Sequence, residues 1–261
     1  MGNDFNGRHY VGLSAISLFS GAGGFDIAAK LSGIKTICYV ENDRFAQGVL
    51  MSRIRDGRID NAPIWDDIRS FDGKPWHGRV DCVFGGFPCQ PHSMVGKRRG
   101  GSDDRNLWPD FLRIVRECRP GFILGENVEG ICSTYAREIL ADMEEIGYCA
   151  EPVKISACEV GAPHMPARVI FLAHTKGISR GKTNQASDKD AGMQRAWMGN
   201  ISRSWKEMAS LDWAIPPCWV LRDIDGLAFR VDRARLTGNG VVPQQATPVF
   251  EKIVRMAAGL A

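Results

Sequence analysis

The fold of this chain is decided near its beginning by the stretch Ser14-Ala-Ile-Ser-Leu-Phe-Ser-Gly-Ala-Gly-Gly-Phe-Asp-Ile-Ala-Ala-Lys-Leu31. Residues 14–19 form a short apolar run, which is typical of a buried strand. Glycines at 21, 23 and 24 follow, and apolar residues then recur at helical spacing from Phe25 onward. The stretch therefore predicts a strand, a tight glycine turn and a helix in direct succession.

The same alternation continues along the chain. Strands that alternate with helices favour a parallel sheet with helices on both faces. We therefore predict an α/β fold with a doubly wound, mostly parallel sheet. The further predicted strands cover 36–40, 80–84, 121–125 and 169–173, and the further predicted helices cover 45–54, 108–117, 136–146 and 245–260.

The regular pattern stops after His174. From 175 to 203 Gly, Ser, Asn, Asp and Lys prevail without a sustained period, which indicates irregular structure. Regularity returns with Gly238-Asn-Gly-Val-Val-Pro-Gln244 and the last helix. We predict three parts: a main domain over 1–174, a small, largely irregular insertion over 175–235, and a return segment over 236–261 that completes the main domain.

Composition excludes several classes of protein. A length of 261 residues with 44% apolar residues fits one large α/β domain with a small insertion. No run approaches the roughly 18 apolar residues of a membrane helix, and the first nine residues lack the build of a signal peptide. We therefore expect a cytoplasmic protein with no membrane partner.

Charge and cysteine usage are less decisive. The net charge is +3, but residues 176–206 carry seven Lys or Arg against two Asp, which suits a phosphate-binding surface or a solvated loop. The eight cysteines include no Cys-x-x-Cys pair, so neither a zinc site nor a disulfide framework has the required spacing. We expect reduced thiols and no metal.

Cys89 is a candidate nucleophile. It belongs to Gly85-Gly-Phe-Pro-Cys-Gln90, directly after a predicted strand, and open α/β sheets place their chemistry at the carboxyl ends of strands. A thiolate is a strong nucleophile once its pKa of about 8.5 is lowered or bypassed. The alternative interpretation is a small buried hydrophobe, which is the commoner role of intracellular cysteines.

The glycine turn and Glu41 suit a nucleoside cofactor. Glycines allow close approach of a ligand to the backbone, and a carboxylate about 20 residues on can accept the ribose hydroxyl protons. Asp26 stands where the dinucleotide fingerprint has its third glycine, which disfavours a nicotinamide-dependent oxidoreductase. A tight turn without a ligand would also require these glycines. Asp67-Ile68, near the end of a short third strand, is either an adenine contact or a surface acidic pair.

Three further features have two interpretations each. Glu126 follows the predicted strand 121–125, where it is either a partly desolvated proton donor or an acid at a helix start. Arg168 precedes the strand 169–173 and either contacts an anionic or carbonyl group or lies in solvent. The basic, glycine-flanked loop 94–102 is either a lid for a phosphate backbone or an ordinary surface loop.

In this order and spacing, the motifs resemble those of the cytosine-5 DNA methyltransferase family. Seven ordered motifs, one of them partial, are far more specific than any one of them. The match runs from about residue 14 to 174 and again from about 236 to 261. The carrying residues are Phe19-x-Gly21-x-Gly23-Gly24, Glu41, Asp67-Ile68, Pro88-Cys89-Gln90, Glu126-Asn127-Val128, a partial match over 161–168, and Gly238-Asn239-Gly240 with Pro243-Gln244.

The resemblance implies an S-adenosylmethionine-dependent methyltransferase fold and methylation of cytosine at carbon 5 in double-stranded DNA. A cytosine flipped from the duplex, at a cost of roughly a few kcal/mol, would lie between Cys89, Glu126 and Arg168. The thiolate adds to ring carbon 6 while the acid protonates ring nitrogen 3, so carbon 5 becomes nucleophilic enough to take the methyl group. Arg168 contacts the cytosine carbonyl oxygen.

The resemblance also assigns the contacts to cofactor and DNA. The expected S-adenosylmethionine-binding residues are Phe19, Ser20, Gly21, Gly23, Gly24, Glu41, Asn42, Asp67, Ile68, Pro88, Asn239 and Val241. The expected DNA-binding residues are Gln90, Ser93, Lys97, Arg98, Arg99, Arg230, Arg233 and Arg235.

Two departures from the family pattern leave alternatives open. Pro166 replaces the first arginine of the usual Gln-x-Arg-x-Arg motif, and the insertion where the family recognises its target is short. A transfer-RNA cytosine methyltransferase and a catalytically silent nucleic-acid-binding relative are therefore alternatives to the DNA enzyme. For the DNA enzyme we expect a monomer in a restriction-modification or phage self-protection setting.

Overall fold

The structure, a computed structural model, describes residues 12–88, 106–133, 135–156, 167–176 and 242–260. The opening stretch folds as predicted, into strand β1, a glycine turn and helix α1. The bounds are β1 Ser14–Leu18, α1 Gly24–Leu31, and, directly after them, β2 Lys35–Val40, which pairs with β1 in parallel.

The remaining elements continue the alternation of strands and helices. Single 3-10 turns cover Lys74–Trp76 and Glu129–Ser133. The other strands and helices are α2 Arg44–Arg55, β3 Ile64–Trp65, β4 Cys82–Gly86, α3 Trp108–Cys118, β5 Phe122–Val128, α4 Ala136–Glu145, β6 Tyr148–Ser156, β7 Ala167–Thr175 and α5 Pro243–Ala257.

In the part of the chain that is described, seven strands form one sheet in the order β3-β2-β1-β4-β5-β7-β6. The first five strands in this order are parallel, whereas β7 runs antiparallel to both β5 and β6. The chain moves outward from β1 to β3 and then returns to β4 on the other side of β1. The carboxyl ends of β1 and β4 therefore form the topological switch point, where open α/β sheets bind their ligands.

Gly85 allows β1 and β4 to approach each other at this point. It pairs with Leu18, and a Cβ atom built on Gly85 would lie 2.1 Å from the Leu18 carbonyl oxygen. No side chain fits in that space. The glycine after the predicted strand thus has a packing reason as well as a turn-forming one.

Helices cover both faces of the sheet, so the predicted doubly wound, mostly parallel α/β fold is confirmed. On one face, α3 and α4 pack on the alternate strand residues that form the main core, including Ile16, Val83 and Ile123. On the other face, Phe25 of α1 and Phe250 of α5 contact Phe84 of β4, with ring centroids 5.0–5.9 Å apart.

The structure differs from the predictions in details. Strand β6 was not predicted, because Glu151, Pro152 and Lys154 interrupt its apolar pattern. Glu126 lies inside β5, which extends to Val128, and not after the strand. Helix α5 ends at Ala257, short of the predicted residue 260. All described residues belong to one compact unit formed by 1–179 and 240–261, and the three-part division remains a prediction.

Candidate active site at the carboxyl edge of the sheet

The predicted site residues that the structure describes follow neighbouring parallel strands. Phe19 follows β1, Glu41 follows β2, Asp67 follows β3, Pro88 follows β4, and Glu126 lies near the end of β5. Because the carboxyl ends of parallel strands meet at one edge of a sheet, these residues share that edge. Eleven of the predicted residues lie outside the described ranges: Cys89, Gln90, Ser93, Lys97, Arg98, Arg99, Arg230, Arg233, Arg235, Asn239 and Val241.

The turn after β1 has an unusual backbone. Phe19 adopts a φ of +51°, and Gly21 and Gly23 adopt φ values of +55° and +78°. A left-handed phenylalanine is strained by about 1 kcal/mol or more, and such strain is commonly found at ligand-binding turns. Two hydrogen bonds stabilise the turn. The Ser20 amide donates to the Val40 carbonyl at 3.2 Å, and the Gly23 amide donates to the Ser20 carbonyl at 2.8 Å.

Glu41 connects this turn to the end of β2. Its two carboxylate oxygens accept the amide hydrogens of Gly21 at 2.7 Å and Asp43 at 2.8 Å. Burial raises the pKa of Glu41, and the hydrogen bonds from backbone amides oppose that rise. An ionised carboxylate offers about four acceptor positions, so these amides do not exhaust it. The carboxylate is thus fixed in place and remains able to accept ribose hydroxyls.

The turn with Asp67 and Ile68 lies beside Glu41. The Glu41 amide donates to the carbonyl of Trp65, the last residue of β3, at 2.9 Å. The Asp67 carbonyl accepts the amides of Ser70 and Phe71, both at 3.1 Å, so the chain reverses directly after Ile68. Ile68 is buried, and Asp67 is partly exposed. The glycine turn, Glu41 and Asp67 thus lie together at the ends of β1, β2 and β3.

Glu126 and Arg168 form a buried ion pair. The Nε atom of Arg168 lies 2.9 Å from Oε1 of Glu126, and the two side chains are 12% and 8% exposed. The antiparallel pairing of β5 with β7 brings the two residues together, because Val128 is opposite Arg168 and Glu126 is opposite Ile170. Arg168 therefore does not lie in solvent.

The protonation of Glu126 is poised near neutral pH. Burial raises the pKa of its carboxyl group to about 7, and the Arg168 charge opposes this rise. A carboxyl group with such a pKa exists in both protonation states at physiological pH, which is what a general acid requires. The pair can therefore donate a proton while a cation stabilises the resulting carboxylate.

Asn127 connects Glu126's strand to the loop that leads to Cys89. Its amide nitrogen donates to the Phe87 carbonyl at 2.9 Å, and its amide oxygen accepts the Val128 amide at 2.9 Å. The Phe87 ring packs on Trp108 and also on Gly125, where a Cβ atom would lie 3.1 Å from the ring. Cys89 comes two residues after Phe87. The sequence shows Asn127 only as part of the Glu126-Asn127-Val128 motif, whereas the structure shows its contact with Phe87.

The described cysteines offer few competing nucleophiles. Cys38, Cys82 and Cys118 are buried, and burial raises the pKa of each thiol, to about 11 for Cys38 and about 12 for Cys118. A buried thiol with a raised pKa is inert. Cys132 is exposed and Cys149 half-buried.

The described ranges contain neither a membrane-spanning helix nor a cluster of metal ligands. None of the helices there is long and apolar enough to span a bilayer. Within the same ranges, no group of three or more His, Cys, Asp or Glu residues is arranged to bind a metal ion.

The strand order, the antiparallel β7 and the glycine turn followed by an acid at the end of β2 define an S-adenosylmethionine-dependent methyltransferase fold. A family described as C-5 cytosine-specific DNA methylase matches residues 13–223, and this chain belongs to that family. The resemblance drawn from the sequence motifs is therefore confirmed. Members of the family are in general S-adenosylmethionine-dependent.

Individual relatives agree with this assignment. The chain is 29% identical over 165 residues to the Type II methyltransferase M.NgoMIV of Neisseria gonorrhoeae, covering 62% of this chain and 51% of the relative. It is 32% identical over 198 residues to the Type II methyltransferase M.AquIA of Picosynechococcus, covering 67% and 80%. The chain thus spans about half the length of the first of these two relatives.

A solved structure is similar as well. It is that of a proposed DNA modification methyltransferase encoded within an Escherichia coli prophage, with a TM-score of 0.53 and 28% identity. The similarity covers 66% of this chain and 49% of that one.

Proposed function

We propose that this protein methylates cytosine at carbon 5 in double-stranded DNA, with S-adenosylmethionine as the methyl donor. The observation that carries the proposal is the buried Glu126–Arg168 pair, in which a carboxyl group with a pKa of about 7 lies against a guanidinium at the carboxyl edge of the sheet. Family membership supplies the reaction class, and the relatives named above are Type II methyltransferases.

The proposed chemistry begins with the thiolate of Cys89, which adds to carbon 6 of a flipped cytosine. Glu126 donates its proton to ring nitrogen 3, so that the electron pair pushed into the ring accumulates at carbon 5 and not on the nitrogen. Arg168 is close enough to Glu126 to stabilise the carboxylate left behind, and it also contacts the cytosine carbonyl oxygen. After methyl transfer, the carbon 5 proton is lost to solvent, the thiolate leaves carbon 6, and the Glu126 carboxylate takes back the proton on nitrogen 3, which restores the aromatic ring and the starting state of the enzyme.

The residues at the ends of β1 to β3 fit the proposed cofactor. When bound, S-adenosylmethionine supplies a methyl group on a positively charged sulfur, which is an electrophile for carbon 5. The positive φ angles of Gly21 and Gly23, which glycine adopts at little cost, shape the turn at the end of β1. The fixed carboxylate of Glu41 would accept the ribose hydroxyls. Asp67 would accept a hydrogen bond from the adenine amino group. Phe19, Ser20, Gly24, Asn42, Ile68, Pro88, Asn239 and Val241 complete the proposed set.

The DNA contacts remain predictions from the sequence. Gln90, Ser93 and the basic run of Lys97, Arg98 and Arg99 follow Cys89 directly, which suits a loop that closes on a phosphate backbone. Arg230, Arg233 and Arg235 belong to the insertion expected to recognise the target. We propose that the protein acts as a cytoplasmic monomer in a restriction-modification or phage self-protection setting.

Trapping the covalent adduct tests the proposal. Purified protein is incubated with S-adenosylmethionine and duplexes that contain 5-fluorocytosine, which has no carbon 5 proton to lose. We expect an adduct that survives denaturing electrophoresis for the wild type and disappears in Cys89→Ser. Cys132→Ser, at an exposed cysteine away from this loop in sequence, is the matched control and should form the adduct normally.

The outcomes separate the alternatives. An adduct on 5-fluorocytosine-containing transfer RNA with none on duplex DNA would favour the RNA enzyme, and no adduct on either would favour a silent binder. Bisulfite sequencing of DNA from cells that express the wild type then identifies the target. Unmodified DNA in those cells would contradict the proposal.

A further inference from the structure

Helix α3 binds two backbone carbonyls of the segment that follows β3. Arg113, in the middle of α3, donates from Nη2 to the Ile68 carbonyl at 2.6 Å and from Nη1 to the Phe71 carbonyl at 2.9 Å. These two carbonyls belong to the turn that presents Asp67 and Ile68. We infer that Arg113 is a positioning residue for the cofactor site, acting through this turn.

Neighbouring contacts make the attachment rigid. Glu117, one helical turn after Arg113, accepts from Nη1 of Arg113 at 3.1 Å and from the Gly73 amide at 2.8 Å. A Cβ atom on Gly73 would lie 2.9 Å from Glu117 and 3.0 Å from the Cys118 sulfur, so the backbone is in tight contact with the helix. The turn therefore has no room to shift toward α3.

The guanidinium fork is essential to this arrangement. It reaches two carbonyls three residues apart while it is paired with Glu117, and Asp110 lies 3.7 Å away on the preceding turn. A lysine ammonium is a single point charge and does not reproduce two divergent donors in one plane. The position thus calls for arginine, and a retained positive charge alone would not keep both carbonyls in place.

The turn is adjacent to the other part of the proposed cofactor site. The Glu41 amide donates to the carbonyl of Trp65, two residues before Asp67, so a displaced turn changes the distance between Asp67 and Glu41. The inference rests on the proposed function, because it takes these two acids as contacts to the adenine and ribose of one ligand. Loss of Arg113 should then weaken cofactor binding and leave the chemistry of Glu126 and Cys89 unchanged.

The test compares three variants with two controls. Arg113→Ala removes the guanidinium, Arg113→Lys keeps the positive charge without the guanidinium, and Glu117→Gln weakens the ion pair that holds Arg113. Arg116→Ala, an exposed arginine on the same helix, controls for charge. Asp142→Asn controls for general loosening of α3, because it alters the 2.7 Å contact to the Trp108 indole without touching the turn. Binding of S-adenosylhomocysteine is measured by calorimetry, and KM and kcat are measured by methyl transfer.

We expect Arg113→Ala and Arg113→Lys to bind S-adenosylhomocysteine about tenfold more weakly, consistent with the loss of charge-assisted hydrogen bonds. KM for the methyl donor should rise by a similar factor, while kcat at saturation and KM for DNA change less than about twofold. The affinity of Glu117→Gln for S-adenosylhomocysteine should lie between those of the Arg113 variants and the wild type. Both controls should bind like the wild type, Asp142→Asn even if its melting temperature is lower.

Each contrary result has a separate meaning. Wild-type affinity in folded Arg113→Ala or Arg113→Lys would overturn the inference, as would an equal loss in Asp142→Asn. If Arg113→Ala does not fold, the lysine variant decides. A wild-type protein that does not bind S-adenosylhomocysteine would instead contradict the proposed function itself.

Discussion

Two buried carboxyl groups lie in different regions of the molecule, Asp26 in the first turn of helix α1 and Glu126 in strand β5. Asp26 is 1% exposed and Glu126 is 6% exposed, and burial raises the pKa of each to about 7. Asp26 accepts hydrogen bonds from the hydroxyl groups of Ser17 and Thr36, both at 3.1 Å. Glu126 is instead paired with the Arg168 guanidinium.

The comparison teaches that a raised pKa does not by itself identify a catalytic acid. Asp26 is enclosed by β1, β2 and α1, and its partners are neutral hydroxyls. Glu126 lies at the carboxyl edge of the sheet, and its partner is the Arg168 cation. Its neighbour Asn127 donates a hydrogen bond to Phe87, just before Pro88. Burial alone gives both groups a similar pKa, whereas position and partner make only Glu126 a candidate for contact with a substrate.

The largest expected effect tests the role of Glu126. Glu126→Gln keeps the shape of the side chain but removes the transferable proton, so we expect methyl transfer to slow by about 10²- to 10⁴-fold. Single-turnover assays with radiolabelled S-adenosylmethionine measure this. Glu129→Gln, at a half-exposed glutamate three residues away, should retain activity. Comparable rates in the two variants would remove Glu126 from the mechanism.

Removing the cation at Arg168 should have a smaller effect, which is a loss of stability. Breaking a buried pair at one partner costs about 3–5 kcal/mol, but Glu126 can take up a proton, so we expect about 2–3 kcal/mol for Arg168→Met at pH 8. Without Arg168 the pKa of Glu126 lies further above 7, and the folded variant therefore keeps its proton to higher pH. The stability of Arg168→Met relative to wild type should thus fall further as pH rises above about 7.

Urea unfolding at pH 6 and pH 8 measures that loss. The double variant Glu126→Gln with Arg168→Met is the control, because it has no carboxyl group at position 126. Wild-type stability falls as Glu126 loses its proton near pH 7, so the stability of the double variant relative to wild type should rise from pH 6 to pH 8, opposite to Arg168→Met. A loss that is the same at both pH values in Arg168→Met would contradict the pairing.

Asp26→Asn tests the other buried carboxyl group. The pKa of Asp26 in the folded protein is about 7, above its ordinary value of 3.8, so the folded state binds the extra proton and wild-type stability falls between these pH values. The variant does not titrate, and its stability relative to wild type should rise by at least about 1.4 kcal/mol, one pKa unit, from pH 4 to pH 8. Activity should change much less than in Glu126→Gln. Parallel stability curves would show that Asp26 is not buried as described.

The smallest effect concerns the hydroxyl partners. Ser17→Ala removes one donor to the Asp26 carboxylate, and we expect a loss of about 1 kcal/mol at pH 8 and less at pH 5, where Asp26 is protonated. Thr36→Val removes the other donor with little change of shape and should behave in the same way. An effect larger at pH 5 than at pH 8 would reverse the assignment of donor and acceptor.

The sequence predicted the parallel strands well because they are continuous apolar runs buried on both faces. Strand β6 has a different composition, since it is the outermost of the described strands on its side of the sheet, and its outer side contacts no other described strand. Asp26 was interpreted only as a departure from the dinucleotide fingerprint. Its burial depends on Ser17 and Thr36, which are nine and ten residues away and lie on two different strands.

The candidate site was predictable in part. Turn chemistry placed the glycines and Glu41 at the carboxyl ends of β1 and β2, and the structure agrees. The proximity of Glu126 to Arg168 followed only from the family resemblance, because the antiparallel pairing of β5 with β7 is not encoded in either local pattern. The contacts of Arg113 and Asn127 connect separate elements through backbone carbonyls, which no sequence motif specifies.

Within the described ranges, both edges of the sheet are poor templates for a further strand. At one edge β3 has only two residues, and at the other β6 carries Pro152 between charged residues. Proline has no amide hydrogen to offer, and short or charged edges disfavour the addition of a strand from a neighbouring molecule. Concentrated solutions of the protein should accordingly resist the slow growth of fibrillar aggregates through this sheet.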